Sequence, residues 1–464
     1  MQDLTTGSLT GHLLKTTSFM LVSMIFQTLY ILVDLFWVGR LGTDAIAAVG
    51  LAGNLSFVVI AITQVLGVGA TTVVSHAAGR KDQDRAIFLF NQSQVLSMVV
   101  AVVFLAISMA LRHQYAVTQA ATEGMRIATE QYLLWFIPAM ALQFAMVAMG
   151  AALRGTGNFK PGMIVQTATV IINIILAPFL IFGWGPFPQM GVSGAAVATF
   201  VSIVVGVAWI SIYFIDAKAY LRFHFGHWTP QLRVWWDMLK IGLPAGAEFM
   251  LMGIYMAVIY AITKPFGAAA QGGFTIGLRI VQSVFLPVVA LGFAVAPVAG
   301  QNFAARKGDR VREAFKAAAG MAAAVMAAVA IIIYTFAPGL MGIFTKDPAV
   351  TQVGVEYLRI VVVTFVFSGV TFVTSSMFQA LGNTIPSLAT SGLRLLVSVI
   401  PAILLSRVEG FHLTWIWYVG ILSVVLQTTT NLLLLQREFR LKLGEGAAVI
   451  APPVAAGVGI ISSE

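Results

Sequence analysis

The 464-residue sequence contains no cysteine, which excludes disulfides, thiolate metal centres and cysteine nucleophiles. It is also poor in charge: Asp, Glu, Lys and Arg make up 10% of the chain, against about 25% in soluble domains. No GxxxxGK[ST] loop is present to cradle a nucleotide, and no HExxH pair to hold zinc. The six histidines, His12, His76, His113, His224, His227 and His412, do not cluster with acids and read as loop or interface residues. A membrane protease needs paired reactive groups at one depth, and the chain offers none. An enzyme is therefore not expected, and neither is a resident cofactor or metal.

Hydrophobic residues make up 59% of the chain. A transmembrane helix needs about 20 mainly apolar residues, so there is room for a dozen spans. Apolar runs bounded by glycine, proline and charge place helices over 13–38, 46–76, 85–111, 123–153, 161–183, 191–216, 238–262, 269–303, 311–336, 349–380, 386–406 and 412–436. The polar residues 1–11 lead into a first run too long for a signal-peptide core, which reads as a retained span. The expected fold is all-α and polytopic.

The formal charge of +9 points to lipid headgroups rather than nucleic acid, because the excess lies in alternate loops. Eighteen Lys and Arg residues fall in one set of loops, and only Arg40, Arg112, Lys264, Lys346 and Arg407 in the other. Cytoplasmic loops carry such an excess, so both termini are expected in the cytoplasm.

An internal repeat runs at a constant shift of 225 positions. Gly42 and Ala45 pair with Gly267 and Ala270, Leu66-Gly67 with Leu291-Gly292, Tyr132 with Tyr357, Gly157-Asn158 with Gly382-Asn383, and Pro161 with Pro386. Six spans per copy make the halves parallel, an arrangement that can rock about a central site. The expected units are an N-terminal six-helix bundle over 1–216, a cytoplasmic interfacial connector over 217–237, a C-terminal bundle over 238–443 and a flexible cytoplasmic tail over 444–464. Trp228, Trp235 and Trp236 among basic residues give the connector an amphipathic reading. A monomer is expected.

The stretches QTLYILVDLFWVGRLG (27–42), SHAAGRKDQDRA (75–86) with GQNFAARKGDRVREA (300–314), and LRGTGNFKP (153–161) with QALGNTIP (379–386) resemble the multidrug and toxic compound extrusion family, over residues 13–436. The resemblance implies an export carrier of a bacterial plasma (inner) membrane for organic, often cationic, small molecules, driven by an inward gradient of protons or sodium. Flippases for lipid-linked oligosaccharides share the wider architecture. They would call for arginines gathered in one cavity, for which Arg126, Arg279, Arg359 and Arg394 are the candidates.

An ionised carboxylate at mid-membrane costs roughly 2.5–3.5 kcal/mol on insertion scales, and only Asp34 and Glu248 lie well inside spans. A carboxyl sheltered from water can take up a proton near neutral pH and lose it when hydrated. Asp34, where the resembling motif has its aspartate, is therefore the expected ion-coupling residue; the competing reading is a hydrogen-bonded structural acid. Asn173 and Thr199 fall at the same depth, about 7–15 Å below the outer surface, and complete the expected ion site. Their alternative role is helix–helix hydrogen bonding. Tyr30 and Gln27 share the face of Asp34 and are its expected supports.

Resembling prokaryotic proteins carry a second aspartate one turn after the asparagine, where this chain has Ala177 before Pro178. Sodium prefers several oxygen ligands and a proton needs one titratable group, so proton coupling is favoured over sodium. Glu248 lies seven residues into the GLP opening, not the eleven of the family pattern, where Met252 stands. It remains a cavity candidate, with Arg279 or Arg394 as partner, beside Gln64 and Gln282. Phe19 stands opposite Pro244 under the repeat, so a proline-assisted bend of the first helix does not carry over.

Overall fold

The computed structural model describes residues 1–120, 122–216 and 219–444. The chain runs through α1 (Leu9–Gly39), α2 (Thr43–Gly79), α3 (Gln83–Gln119), α4 (Glu123–Gly155), α5 (Lys160–Phe182), α6 (Val192–Ile215), α7 (Leu232–Thr263), α8 (Gly267–Val284), α9 (Leu286–Ala304), α10 (Gly308–Phe344), α11 (Pro348–Val361), α12 (Phe365–Ala380), α13 (Ile385–Leu405) and α14 (Thr414–Leu443). Twelve helical stretches among the described residues are long and apolar enough to cross a membrane. The expected tail lies, from residue 445 on, outside the described residues, as do the connector's first two residues.

Helix starts follow the repeat. α3 and α10 open at Gln83 and Gly308, α4 and α11 at Glu123 and Pro348, and α5 and α13 at Lys160 and Ile385, each pair separated by the shift read from sequence. The expected eighth helix bends at Phe285 into α8 and α9, because Pro287 lacks an N–H and its ring crowds the carbonyl four residues back. The expected tenth relaxes through a 3-10 turn, Val362–Thr364, between α11 and α12. α1 has no internal proline and runs unbroken from Leu9 to Gly39.

The repeated loop motif has a physical reason. Gly157 and Gly382 adopt φ of +75° and +70° after α4 and α12, left-handed backbone that a Cβ would strain. The asparagine after each ties the loop to the last helix of its own half: Asn158 Nδ2 donates to the Tyr213 hydroxyl (3.0 Å) and Asn383 Nδ2 to Glu438 Oε1 (2.9 Å). Lys81 and Arg306, also matched, hold φ of +60° and +58° without being glycine. The bonds Asp82 N–H to Ala77 O and Lys307 N–H to Asn302 O close those turns at 3.1 and 2.9 Å.

The core divides into two clusters, but not at the expected boundary. Leu9 and Leu13 of α1 belong to the core of the C-terminal half, beside Val295 and Val311. Reciprocally, Val234, Trp235, Met238 and Ile241 of α7 belong to the core of the N-terminal half. The first turns of α1 and α7 thus change places between the bundles, at positions equivalent under the repeat.

The connector is also shorter than expected. After a short turn, Phe225–His227, α7 starts at Leu232, inside the range expected to be connector. Asn91 and Gln92, adjacent and fully buried on α3, hold the segment. Asn91 donates to Arg222 O and accepts from His224 N–H and Trp228 Nε1. Gln92 donates to His227 O and Thr229 O and accepts from Gln231 N–H and Trp235 Nε1. Its Oε1 thereby supplies an acceptor at the start of α7, where backbone N–H groups lack intrahelical partners.

Candidate functional site

Gln27, Tyr30 and Asp34 fall on one side of α1, which packs against α5, and α5 packs against α6. Asn173 of α5 and Thr199 of α6 are both buried. The single hydroxyl proton of Thr199 goes to Ala195 O at 3.1 Å. Its oxygen therefore accepts, from Asn173 Nδ2 at 3.0 Å and from the Tyr30 hydroxyl at 3.1 Å. Tyr30, Asn173 and Thr199 form one bonded cluster joining three helices.

Asp34 stands beside this cluster without a bond to it. The residue is 8% exposed, and Oδ1 is buried with no hydrogen-bond partner among the described residues. A buried polar atom left unpaired costs about 1–3 kcal/mol, so it calls for a use. Asp34 lies near Tyr30 and near Tyr132, a buried residue of α4. Sequence reading picks out Tyr132 only as a repeat marker; a polar residue on an apolar helix at matched depth was the available clue. Ala177, buried one turn along α5 from Asn173, presents a methyl where a second acid would add charge. Gln27 accepts from Gln166 Nε2 at 3.4 Å, not from the cluster.

The remaining candidates do not converge in this way. Glu248 has no arginine partner: among the described residues it forms no ion pair with Arg279 or Arg394, and its neighbour is Ser387 of α13, whose hydroxyl donates to Ser375 at 2.6 Å. Arg394 instead reaches Gln427 Oε1 at 3.4 Å and lies 5.7 Å from the ring centre of Tyr255. Arg279 and Gln282 are exposed on α8, and Gln64 is half-buried on α2. Arg126 is held by Glu123 and Glu130, and Arg359 lies 5.6 Å over the Tyr334 ring. Arg126, Arg359 and Arg394 thus have separate partners and Arg279 is exposed, so the four arginines share no cavity. No group of three or more His, Asp or Glu among the described residues could hold a metal ion.

The two halves are bonded to each other at the end where the basic loops lie. Thr72 donates to Gln379 O (3.1 Å), His76 Nε2 to Ala380 O (2.7 Å) and Gln301 Nε2 to Gly155 O (2.9 Å). His76 is therefore a buried residue of the seam, not a loop histidine. Gly79 approaches the backbone of Gln301 so closely that a Cβ would overlap it. The N-terminal segment fills the same seam. Leu4, fully buried, donates from N–H to Gln301 Oε1 (3.1 Å) and accepts from Asn302 Nδ2 (3.0 Å). Gln2 N–H donates to Thr156 O at 3.0 Å. Among the described residues, every hydrogen bond between the halves lies at this end, which is closed.

Residues 20–179 and 244–404 match the MatE family model, once in each half. The chain is 25% identical over 370 residues to the probable multidrug resistance protein YoeA of Bacillus subtilis (strain 168), covering 78% of this chain and 80% of that protein. It is equally 25% identical over 365 residues to the multidrug export protein MepA of Staphylococcus aureus (strain N315), with 78% and 80% covered. A solved outward-facing multidrug resistance MATE family transporter of the MOP superfamily shares the fold at a TM-score of 0.87 and 24% identity, over 94% of this chain and 97% of that one. With twelve membrane helices in two repeated bundles and a family match spanning both, the chain belongs to the MatE family of membrane transporters, the multidrug and toxic compound extrusion proteins.

Proposed function

We propose that this chain exports amphiphilic organic cations by antiport with protons, as a monomer in the bacterial plasma (inner) membrane with both termini in the cytoplasm. The observation that carries the reading is the buried, unpartnered Oδ1 of Asp34 beside the Tyr30, Thr199 and Asn173 cluster. One proton satisfies that oxygen. Sodium needs several oxygen ligands, yet Ala177 offers none and the Thr199 hydroxyl is committed to three bonds. Cation transport is supported by the two acids inside spans, Asp34 and Glu248, neither of them paired with a base among the described residues. The excess of basic residues in alternate loops supports the orientation, which makes the closed seam cytoplasmic and this state outward-facing.

In that state a proton arriving from outside neutralises Asp34. A bound cation then loses a counter-charge and leaves outward. Reopening toward the cytoplasm hydrates the carboxyl and releases the proton, so that the gradient sets the direction. Reversible exchange of one charge at one residue is enough to couple the two movements.

The test is efflux of a fluorescent organic cation from liposomes containing the purified chain, with a pH gradient and a sodium gradient imposed separately. The pH gradient alone should drive transport, and Asp34→Asn should abolish it at unchanged expression. Transport driven by sodium without a pH gradient, or undiminished in the variant, would overturn the assignment. A lipid-linked sugar in the same panel distinguishes an exporter from a flippase.

A further inference from the structure

Away from the Asp34 layer, α2, α3 and α4 enclose a groove of about 490 Å³ whose walls are almost wholly apolar. It follows α3 from Val99 to Arg112, with Val58 and Ile62 of α2 on one side and Ile137 of α4 on the other. At 1.5 Å per residue that stretch of α3 is about 20 Å long, about half of a bilayer of about 40–45 Å including its headgroup layers. Val103, Ile107 and Leu111 are 51%, 54% and 55% exposed. The groove therefore has the length of one leaflet and opens laterally to hydrocarbon.

At its end stands a cation, Arg112, with no ion pair among the described residues. Nε and Nη1 of Arg112 are buried and have no hydrogen-bond partner among the described residues. The acids at this end of α4 are already engaged: Glu130 holds Arg126 and His113, and Glu123 holds Arg126. An unpaired guanidinium at the margin of hydrocarbon is costly and calls for a counter-charge. The fold does not require it, since the equivalent position on α10 is Ala337, fully buried.

We infer that this groove binds one phospholipid of the outer leaflet, an acyl chain lying along α3 and the headgroup phosphate on Arg112. Charge decides the occupant. A guanidinium pairs well with a phosphate, whereas an organic cation drawn from the bilayer meets the wrong sign. The leaflet follows from the orientation proposed above, while the lipid chemistry does not depend on which ion is coupled.

Native mass spectrometry of the purified full chain, titrated with phosphatidylglycerol in detergent, reads the site directly. A lipid adduct should be retained, with affinity lowered roughly tenfold in Arg112→Gln, the scale of one charge-assisted bond, and largely restored in Arg112→Lys. Val103→Trp, which fills the groove, should remove the adduct. Melting in lipid-free detergent should be unchanged in Arg112→Gln, separating lost lipid from lost fold. Equal retention in Arg112→Gln and the parent chain, insensitivity to Val103→Trp, or displacement of the lipid by a transported organic cation would each refute the site.

Discussion

Gln301 offers a measurable handle on the alternation between states. It is fully buried at the inner end of α9, donates to Gly155 O of the other half and accepts from Leu4 N–H of the N-terminal segment. Only the bond to Gly155 crosses between the halves, since Leu4 packs in the same core cluster as Val295, Val298 and Ala299 of α9. One such bond is worth about 1 kcal/mol net, so Gln301→Ala should weaken the closed state by about 1 kcal/mol, a shift of about fivefold toward the inward-open state. The absence of native cysteine makes the assay clean: Ser75→Cys introduces the only thiol, at a residue 1% exposed in the seam beside Gly300. In everted vesicles, an impermeant maleimide should label that thiol about fivefold faster when Gln301→Ala is added, because labelling follows the open population while opening is fast. Unchanged labelling, with both proteins melting alike, would mean that the seam is held by something other than this bond.

Three further outcomes follow from other buried polar groups. Thr199→Val leaves two buried donors, Asn173 Nδ2 and the Tyr30 hydroxyl, without their acceptor, and should lower stability by about 1–2 kcal/mol, read by melting in detergent. Gln92→Leu removes four bonds to the connector and should cost about 3 kcal/mol, so hydrogen exchange over residues 222–231 should quicken about a hundredfold. In that connector, burial, followed by the stacked ring of His224 at 4.3 Å, lowers the His227 pKa below its ordinary 6.5. The unfolded segment then binds the proton more tightly than the folded one. Anchoring should be complete at pH 7.5 and weaken as pH falls below about 6.5, seen as a fall in protection factor between pH 7.5 and pH 5.5, after correction for intrinsic exchange, that is suppressed in His227→Gln.

The spans were legible because hydrocarbon imposes its length on any apolar run, and the constant shift carried helix starts such as Gln83 and Gly308 into register. Depth counting also brought Asn173 and Thr199 to one layer, because rise per residue is fixed. What it could not give is rotation about each helix, which decides that Thr199 accepts from Tyr30 and that Gln27 turns to Gln166. Nor does a hydrophobic face name its partner. Leu9 stands in a polar stretch and Leu13 opens an apolar run, but only the assembled chain shows both packed in the opposite half. Asn91 and Gln92 look like ordinary polar residues in a helix until the connector is folded back onto them. The polar residues 1–11 gave no sign that Leu4 seals the seam, since a single leucine carries no periodicity.

The repeat supplies the means to decide whether Asp34 serves stability or exchange. Position for position, Tyr30 has its counterpart in Tyr255, but Asp34 faces Ile259, which is fully buried in its own core cluster. The same place in the same architecture is thus filled by a hydrophobic residue in one lobe and by an unpaired carboxyl in the other. If the acid were a structural brace, its replacement should destabilise the protein as the loss of a buried hydrogen-bonded group does. Because Oδ1 has no partner, the opposite is expected: Asp34→Leu should leave the fold intact and raise stability by about 1–3 kcal/mol, the cost of an unsatisfied buried polar atom, while ending ion-coupled transport, the usual trade between stability and activity at a working site. Melting in detergent and efflux from liposomes measure the two quantities on one sample. A lower melting temperature in Asp34→Leu would make the carboxyl part of the scaffold, and the charge exchange at its centre would have to be sought elsewhere, with Glu248 beside Ser387 the next residue to test.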